Sequence, residues 1–174
     1  MKKRGIGSHE RPNGGATVSW LTPPEIVSAL GPFDLDPCPC LPQPFPTAAR
    51  VVEGDGLAEE WAGRVWLNPP YGPDLGKWLA KLAAHGNGIA ICFARTETRA
   101  FFDAVWGKAS ALLFFRGRVH FYRPDGTRAK GNAGAPSVLI AYGRESAERL
   151  WGCGLPGAFV REGKAQPGLF DGEG

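Results

Sequence analysis

The most constraining feature of this sequence is an uninterrupted apolar run at residues 89–94 (IAICFA). A strand without a polar face must be buried on both sides, as in a parallel sheet that is covered by helices. Shorter apolar runs and amphipathic segments alternate around it. We therefore predict an α/β fold, with strands at residues 33–36, 50–53, 64–67, 89–94, 111–115 and 137–142, helices at 22–30, 73–85, 96–106 and 144–151, and a hairpin arm at 119–122.

Length and composition indicate one globular domain. With 174 residues, of which 43% are hydrophobic, the chain can bury one core but has little room for a second domain. We expect a flexible basic arm at residues 1–19, the folded domain at 20–160 and a flexible tail at 161–174. There is no signal peptide and no apolar run of about 18 residues, so we expect a cytoplasmic protein without a membrane partner.

The four cysteines predict neither disulfides nor a metal centre. Cys38 and Cys40 are separated by one residue, and no Cys or His pair with zinc-ligand spacing accompanies them. A zinc-binding protein is therefore a distant alternative, and a reducing compartment is the simplest setting.

The tetrapeptide Asn68-Pro69-Pro70-Tyr71 follows a predicted strand and precedes a predicted helix. Two hydrogen-bond acceptors can draw the lone pair of a planar amino group out of conjugation, because they favour the developing tetrahedral nitrogen over the planar ground state. Asn68 offers its side-chain oxygen and Pro69 its carbonyl, which the proline pair holds rigidly. Tyr71 offers a ring on which an extruded base can stack. The alternative is a stiff turn at the end of a strand.

These residues resemble motif IV of the amino-methyltransferases, (Asp/Asn/Ser)-Pro-Pro-(Tyr/Phe). The stretch from Trp20 to about Tyr142 resembles the phage-type DNA N6-adenine methyltransferases, the phage Dam family. The matching segments, in order, are WLTPPE at 20–25, FDLDPC at 33–38, GDGL at 54–57 with Trp61, WLNPPY at 66–71, GRVHF at 117–121 and PSVL at 136–139.

The resemblance implies a shortened, Rossmann-like class I methyltransferase fold, with a mostly parallel sheet and helices on both faces. It implies the cofactor S-adenosylmethionine, double-stranded DNA as partner, and transfer of a methyl group to the N6 amino group of a flipped adenine. It also implies a phage- or prophage-encoded enzyme that acts in the cytoplasm of a bacterial host. Within the motif, Asn68, Pro69, Pro70 and Tyr71 become the expected catalytic residues.

The same resemblance assigns cofactor contacts to the segment that contains Thr22 and Pro23, and to the loop that begins Asp36-Pro37-Cys38. For the threonine, a capping box (Thr-x-x-Glu) is an equal alternative. For Asp36, the alternative is a carboxylate that caps its own loop.

Asp55 falls where related enzymes hold the adenine of the cofactor, although Gly-Asp-Gly is also an ordinary turn. The sequence departs from the usual cofactor pattern in two ways. The loop after the first strand contains no glycine, and the acidic residue that usually holds the ribose has only Glu53 as a weak counterpart.

Five basic residues and one acid, Asp125, lie between residues 116 and 130. A basic stripe of this kind suits a phosphate backbone, although a solvated hairpin is the alternative. By the resemblance, Arg116 and Arg118 are expected to contact DNA, and Phe121 to sandwich the base opposite Tyr71; a core aromatic is the alternative for Phe121. Arg95 and Arg99 are weaker candidates for phosphate contacts.

Sequence specificity must come from loops, with residues 116–136 as the candidates, or from a second copy of the chain in a homodimer. The acceptor pair would also suit RNA adenine, DNA cytosine or a protein glutamine, since each has an amino group on an sp² carbon. A non-catalytic nucleic-acid-binding module derived from such an enzyme is the alternative from another class, and the missing glycine loop favours it.

Overall fold

The computed structural model describes residues 20–161. Four helices and seven strands follow one another along the chain. In order they are α1 (Pro24–Leu30), β1 (Leu35–Asp36), β2 (Arg50–Val51), β3 (Val65–Leu67), α2 (Leu75–His85), β4 (Gly88–Phe93), α3 (Arg99–Ala104), β5 (Ala111–Phe115), β6 (Ser137–Tyr142), α4 (Arg144–Gly152) and β7 (Gly157–Arg161).

The seven strands form one mixed sheet in the order β2-β1-β3-β4-β6-β5-β7. Strands β1 to β4 are parallel to one another, whereas β6 is antiparallel to β4 and β5, and β7 is antiparallel to β5. Since β5 therefore runs in the direction of β4, the carboxyl ends of β1 to β5 lie along one edge. Because β6 begins at that same edge, the whole connection 116–136 lies there as well.

Helices cover both faces of the sheet. On one face, α1 and α4 pack over the odd-numbered residues of β4, such as Ile89 and Ile91. On the other face, α2 and α3 pack over Ala90 and Cys92. Every residue of β4 is buried, which confirms that the apolar run belongs to a strand covered on both sides.

The predicted α/β class is confirmed, and each predicted strand is present near its expected position. The predicted helices are also present, although three begin two or three residues later than expected, at Pro24, Leu75 and Arg99. The hairpin arm at 119–122 is irregular: it forms the single bridges Leu21–Tyr122 and Tyr122–Arg128 instead of a ladder.

The last strand ends one residue past the predicted end of the domain at 160. The chain continues into β7, which pairs with the full length of β5 and ends at Arg161, so the domain extends past residue 160. The expected arm at 1–19 and the rest of the expected tail, 162–174, lie outside the described residues. None of the helices between residues 20 and 161 combines the length and apolar character needed to cross a membrane.

A buried guanidinium joins the start of β3 to α1 and α4. Arg64 is 3% exposed. Its Nη2 donates to the Leu30 carbonyl at 2.7 Å, its Nη1 to the Pro32 carbonyl at 2.8 Å, and its Nε to the Ser146 hydroxyl at 3.2 Å. Arg64 therefore satisfies carbonyls that the end of α1 would otherwise leave unpaired.

Candidate active site

The strand order places a topological switch point between β1 and β3. The chain passes from β1 outward to β2, and then returns to the other side of β1 to form β3. In open α/β sheets, ligands bind in the crevice outside the carboxyl ends of the strands at such a point. Here the two loops that border the crevice begin at Asp36 and Asn68.

A crevice of about 300 Å³, including space open to solvent, lies between these two loops. Asn68 is half-buried at its wall and lies outside the hydrophobic core clusters. The residues that line the crevice are Trp20, Cys38, Pro39, Cys40, Asn68, Pro69, Pro70 and Tyr71. The four residues of the predicted catalytic motif are thus brought together around one opening.

The amide of Asn68 is oriented by the main chain of Trp20. Its Nδ2 donates a hydrogen bond to the Trp20 carbonyl at 2.6 Å. A carbonyl can only accept, so this contact requires the amide nitrogen at that position and leaves Oδ1 as the acceptor. Among residues 20–161, no group donates a hydrogen bond to Oδ1. Asn68 therefore has the orientation that an acceptor role requires.

Tyr71 is fixed by an aromatic neighbour on β4. Its ring is stacked on Phe93 with the centroids 4.2 Å apart and the planes 20° apart. Burial, followed by the nearby Cys92 thiol, raises the pKa of the Tyr71 hydroxyl far above its usual range, so the hydroxyl stays protonated at neutral pH. One ring face is thus covered by Phe93, and Tyr71 contributes to the wall of the crevice.

A second pocket adjoins the crevice and shares two of its residues, Trp20 and Tyr71. It contains about 390 Å³ of empty space, including space open to solvent. Its wall is formed by Trp20, Tyr71, Phe121, Ala129, Gly131, Asn132 and Ala133. We call this space the aromatic pocket, because three of its seven lining residues carry aromatic rings.

Phe121 combines the two roles that its sequence position left open. It is 5% exposed and belongs to the core cluster under α1 and α4. It also lines the aromatic pocket, to which Tyr71 contributes as well. A buried ring at the wall of a pocket is rigid, which suits it to contact a flat ligand without losing side-chain entropy.

Trp20 is a site residue that the sequence analysis missed. It lines both the crevice and the aromatic pocket, and its carbonyl holds the amide of Asn68. The next residue, Leu21, exchanges two main-chain hydrogen bonds of 2.9 Å with Tyr122. The start of the folded domain is therefore held between the Asn68 loop and the hairpin. The only available signal was the position of Trp20 at the head of the WLTPPE segment.

Asp36 holds its own loop together. One carboxylate oxygen accepts from the Cys38 amide at 3.0 Å and the other from the Thr47 hydroxyl at 2.5 Å. Gln43 donates to the same Thr47 hydroxyl at 2.6 Å. Burial raises the pKa of Asp36, and these hydrogen bonds counteract the rise.

Asp36 is only 2% exposed and both of its oxygens are in use. These contacts support the alternative, in which the carboxylate caps its own loop, and the cofactor contact of Asp36 stays a prediction. The neighbouring Pro37 is buried against Gly56, so only Cys38 of this trio lines the crevice. Burial, followed by the charge of Asp36, raises the pKa of the Cys38 thiol to about 12, so this thiol is neutral at pH 7 and a weak nucleophile.

Thr22 does not form the capping box that its spacing to Glu25 predicted. The N-cap of α1 is Pro23, and no side chain caps the helix. Thr22 is 5% exposed, and its hydroxyl has no hydrogen-bond partner among the described residues. A buried hydroxyl without a hydrogen-bond partner destabilises the folded protein unless a ligand or water supplies that hydrogen bond. Thr22 follows Trp20 by two residues, so this orphaned group lies close in sequence to the crevice wall.

Asp55 is exposed and organises a turn after β2. Its Oδ1 accepts from the Leu57 amide at 3.0 Å, which is the geometry of an Asx turn. The turn interpretation accounts for this contact. Glu53, between the end of β2 and this turn, is also exposed at the carboxyl edge of the sheet.

The basic residues of the connection 116–136 are mostly exposed. Arg116 and Arg118 directly follow β5 and are both exposed at the carboxyl edge. Tyr122 contacts Phe45 of the proline-rich loop edge-on, with the centroids 5.5 Å apart, so the hairpin rests against the loop that borders the crevice. Arg95 is exposed after β4, whereas Arg99 forms an ion pair with Asp103 on α3.

Between Trp20 and Arg161, no group of three or more His, Cys, Asp or Glu side chains is placed to hold a metal ion. Comparison with protein-family models, with curated proteins and with solved structures gave no match. Function is therefore inferred from the geometry of this site and from the motifs that it contains.

Proposed function

We propose that this protein is a DNA methyltransferase that transfers a methyl group from S-adenosylmethionine to the N6 amino group of adenine. The observation that carries the proposal is the orientation of Asn68. Its Nδ2 is bound to the Trp20 carbonyl, and its Oδ1 remains as an acceptor in the wall of a crevice at the β1/β3 switch point.

The chemistry requires acceptors and no competing donors. In this mechanism, Oδ1 of Asn68 accepts from one amino hydrogen of the base and the Pro69 carbonyl accepts from the other. The amino nitrogen then gains tetrahedral character, so that its lone pair can attack the methyl carbon. The N–C bond would form as the bond between the methyl carbon and the sulfonium sulfur breaks, S-adenosylhomocysteine would leave, and one amino proton would be released to solvent. Neither Pro69 nor Pro70 has an N–H group that would repel the amino group or donate to its nitrogen.

The aromatic pocket supports an extruded base as the substrate. A base stacked on an aromatic side chain gains about 1–3 kcal/mol, and Trp20, Tyr71 and Phe121 all border this pocket. The pocket shares Trp20 and Tyr71 with the crevice, so a base held there would present its amino group toward the Asn68 loop. Arg116 and Arg118, exposed at the same edge of the sheet, are suited to the phosphate backbone of the duplex.

In this proposal the crevice binds S-adenosylmethionine, which supplies an electrophilic methyl group on a positively charged sulfur. Trp20 and Tyr71 would hold that charge near their rings, because aromatic faces attract cations. The orphaned Thr22 hydroxyl would gain a partner, and Glu53 would accept from the ribose. Cys38, Pro39 and Cys40 would give the loop side an apolar wall in place of the usual glycine-rich backbone.

The sheet is compatible with the Rossmann-like class I methyltransferase fold, which we include in the proposal. Three features support it: the parallel strands β1 to β4, the helices on both faces, and the crevice at the switch point.

The test is mass spectrometry of nucleosides from duplex DNA incubated with purified protein and S-adenosylmethionine. We expect N6-methyladenine as the product. Asn68→Ala should lower turnover about 10²–10³-fold, the usual effect of losing one preorganised hydrogen-bonding group in a transition state. It should leave the affinity for S-adenosylmethionine, measured by equilibrium dialysis, nearly unchanged.

Asn87→Ala is the matched control, because Asn87 is a half-buried amide just before β4, at the opposite edge of the sheet. It should retain turnover. The same assay with RNA, and with glutamine-containing peptide, identifies a different amino-group substrate. Methylation of either one but not of DNA, or near-normal turnover by Asn68→Ala, would contradict the proposal.

A further inference from the structure

The aromatic pocket has an uneven chemical lining. Its remaining four residues are Ala129, Gly131, Asn132 and Ala133. Three of these four carry a methyl group or no side chain, so Asn132 brings the one polar side chain among them, and the one amide side chain of the pocket lining. A flat heteroaromatic ring between the aromatic groups would therefore meet one residue that can distinguish its edge.

The segment that carries Asn132 is held in place by its neighbours. The Ala129 amide donates to the Phe121 carbonyl at 2.9 Å, and the Ala133 amide donates to the Val119 carbonyl at 2.7 Å. These two bonds fix residues 129–133 beside residues 119–121. The amide of Asn132 itself is exposed and has no hydrogen bond to any of the residues 20–161. Its position is therefore fixed while its hydrogen-bonding groups remain available to a ligand.

We infer that Asn132 is a specificity-determining residue that recognises the extruded adenine, an inference that rests on the proposed function. The amino group of adenine is flanked by the ring nitrogens N1 and N7, which are both acceptors. Asn68 and Pro69 already use the amino hydrogens, so the complementary group is a donor. The Asn132 amide donates through Nδ2 to one of these nitrogens, in keeping with the general preference of asparagine side chains for adenine.

The experiment uses the full-length protein, S-adenosylmethionine and a duplex whose methylated position has been mapped with the wild-type protein. Asn132→Asp is the informative variant, because it preserves shape and acceptors but removes the donor. Asn87→Asp makes the same chemical change at the opposite edge of the sheet. We expect Asn132→Asp to lower kcat/KM about 5- to 100-fold, the range for loss of a specific base contact. Asn87→Asp should show no such loss.

Target analogues separate recognition from a structural effect. Replacing the target adenine by 1-deazaadenine or 7-deazaadenine removes one ring nitrogen at a time. For the wild type, one of the two analogues should lower kcat/KM by about the same factor as the Asn132→Asp substitution. For Asn132→Asp, that analogue should cause no further loss. Equal losses from that analogue in the wild type and in the variant would overturn the inference.

The two hypotheses fail in different ways. If the wild type forms no N6-methyladenine in any DNA, the proposed function is wrong and the role of Asn132 is wrong with it. If the wild type methylates DNA and Asn132→Asp does so with the same kcat/KM, only the role of Asn132 is overturned.

Discussion

Replacing Arg64 by methionine should destabilise the fold strongly. The guanidinium donates to three groups, namely the Leu30 and Pro32 carbonyls and the Ser146 hydroxyl. It also lies over the Phe33 ring, 4.5 Å from its centroid. Methionine occupies much of the same space but donates nothing. The buried Leu30 carbonyl and Ser146 hydroxyl and the part-buried Pro32 carbonyl would then lose their donor.

The magnitude follows from these contacts. Hydrogen bonds to a charged group contribute about 1.5–3 kcal/mol each. Part of that gain is offset because burial disfavours the charge, as the lowered pKa of Arg64 indicates. Leaving three neutral acceptors without their donor, at somewhat over 1 kcal/mol each, therefore costs about 3–5 kcal/mol in all. For a domain of this size that corresponds to a fall in Tm of about 6–20 °C.

Thermal and urea unfolding, followed by circular dichroism, measure this loss. Arg144→Met is the matched control, since Arg144 forms an exposed ion pair with Glu148 within α4 at 2.7 Å. Exposed pairs of this spacing contribute little to stability, because solvent screens the two charges. If Arg64→Met unfolds within 1 kcal/mol of the wild type, about the scale of a single neutral hydrogen bond, the view that Arg64 completes the end of α1 is refuted.

Two further perturbations probe the loops around the crevice. A Cβ atom on Gly56 would overlap the Pro37 carbonyl oxygen, whereas one on Gly54 would meet nothing within 4 Å. We therefore expect Gly56→Ala to lower the free energy of unfolding in urea by about 1–3 kcal/mol and Gly54→Ala to leave it nearly unchanged. Equal stabilities of the two variants would contradict this packing. Burial raises the pKa of Asp36 from 3.8, so the protonated carboxyl group stabilises the folded state. This contribution to the free energy of unfolding is lost as the pH rises from 3.8 through the raised pKa of the folded state. Asp36→Asn should therefore gain stability relative to the wild type between mildly acidic and neutral pH, and an unchanged difference across that range would show that Asp36 is not the group responsible.

The sheet was largely predictable because its strands are apolar and lie between clear turn residues. The exception is β7, whose pattern of two exposed, one half-buried and two exposed residues reflects an edge position with little burial to select for hydrophobic residues. Its main-chain pairing with β5 stabilises it as a strand, although its amino-acid composition does not predict one.

The site was predictable only where one short segment contains the chemistry. Asn68 and Tyr71 are adjacent in a recognisable motif, and the rule for carboxyl ends of parallel strands places them correctly. The partner of Asn68 is Trp20, 48 residues away in sequence, and no local pattern reports such a contact. Asp36 is a similar case, because its role depends on Thr47, 11 residues away across a proline-rich loop.

The reversed direction of β6 has an evolutionary consequence. Because β5 ends and β6 begins at the same edge, the turn at residues 124–126 of their connection can change in length without breaking a strand pair of the sheet. If the protein methylates DNA as proposed, exchange of this turn between related proteins should alter which DNA sequence is chosen while the acceptor loop after β3 stays intact. New targets would then not require a separate recognition domain.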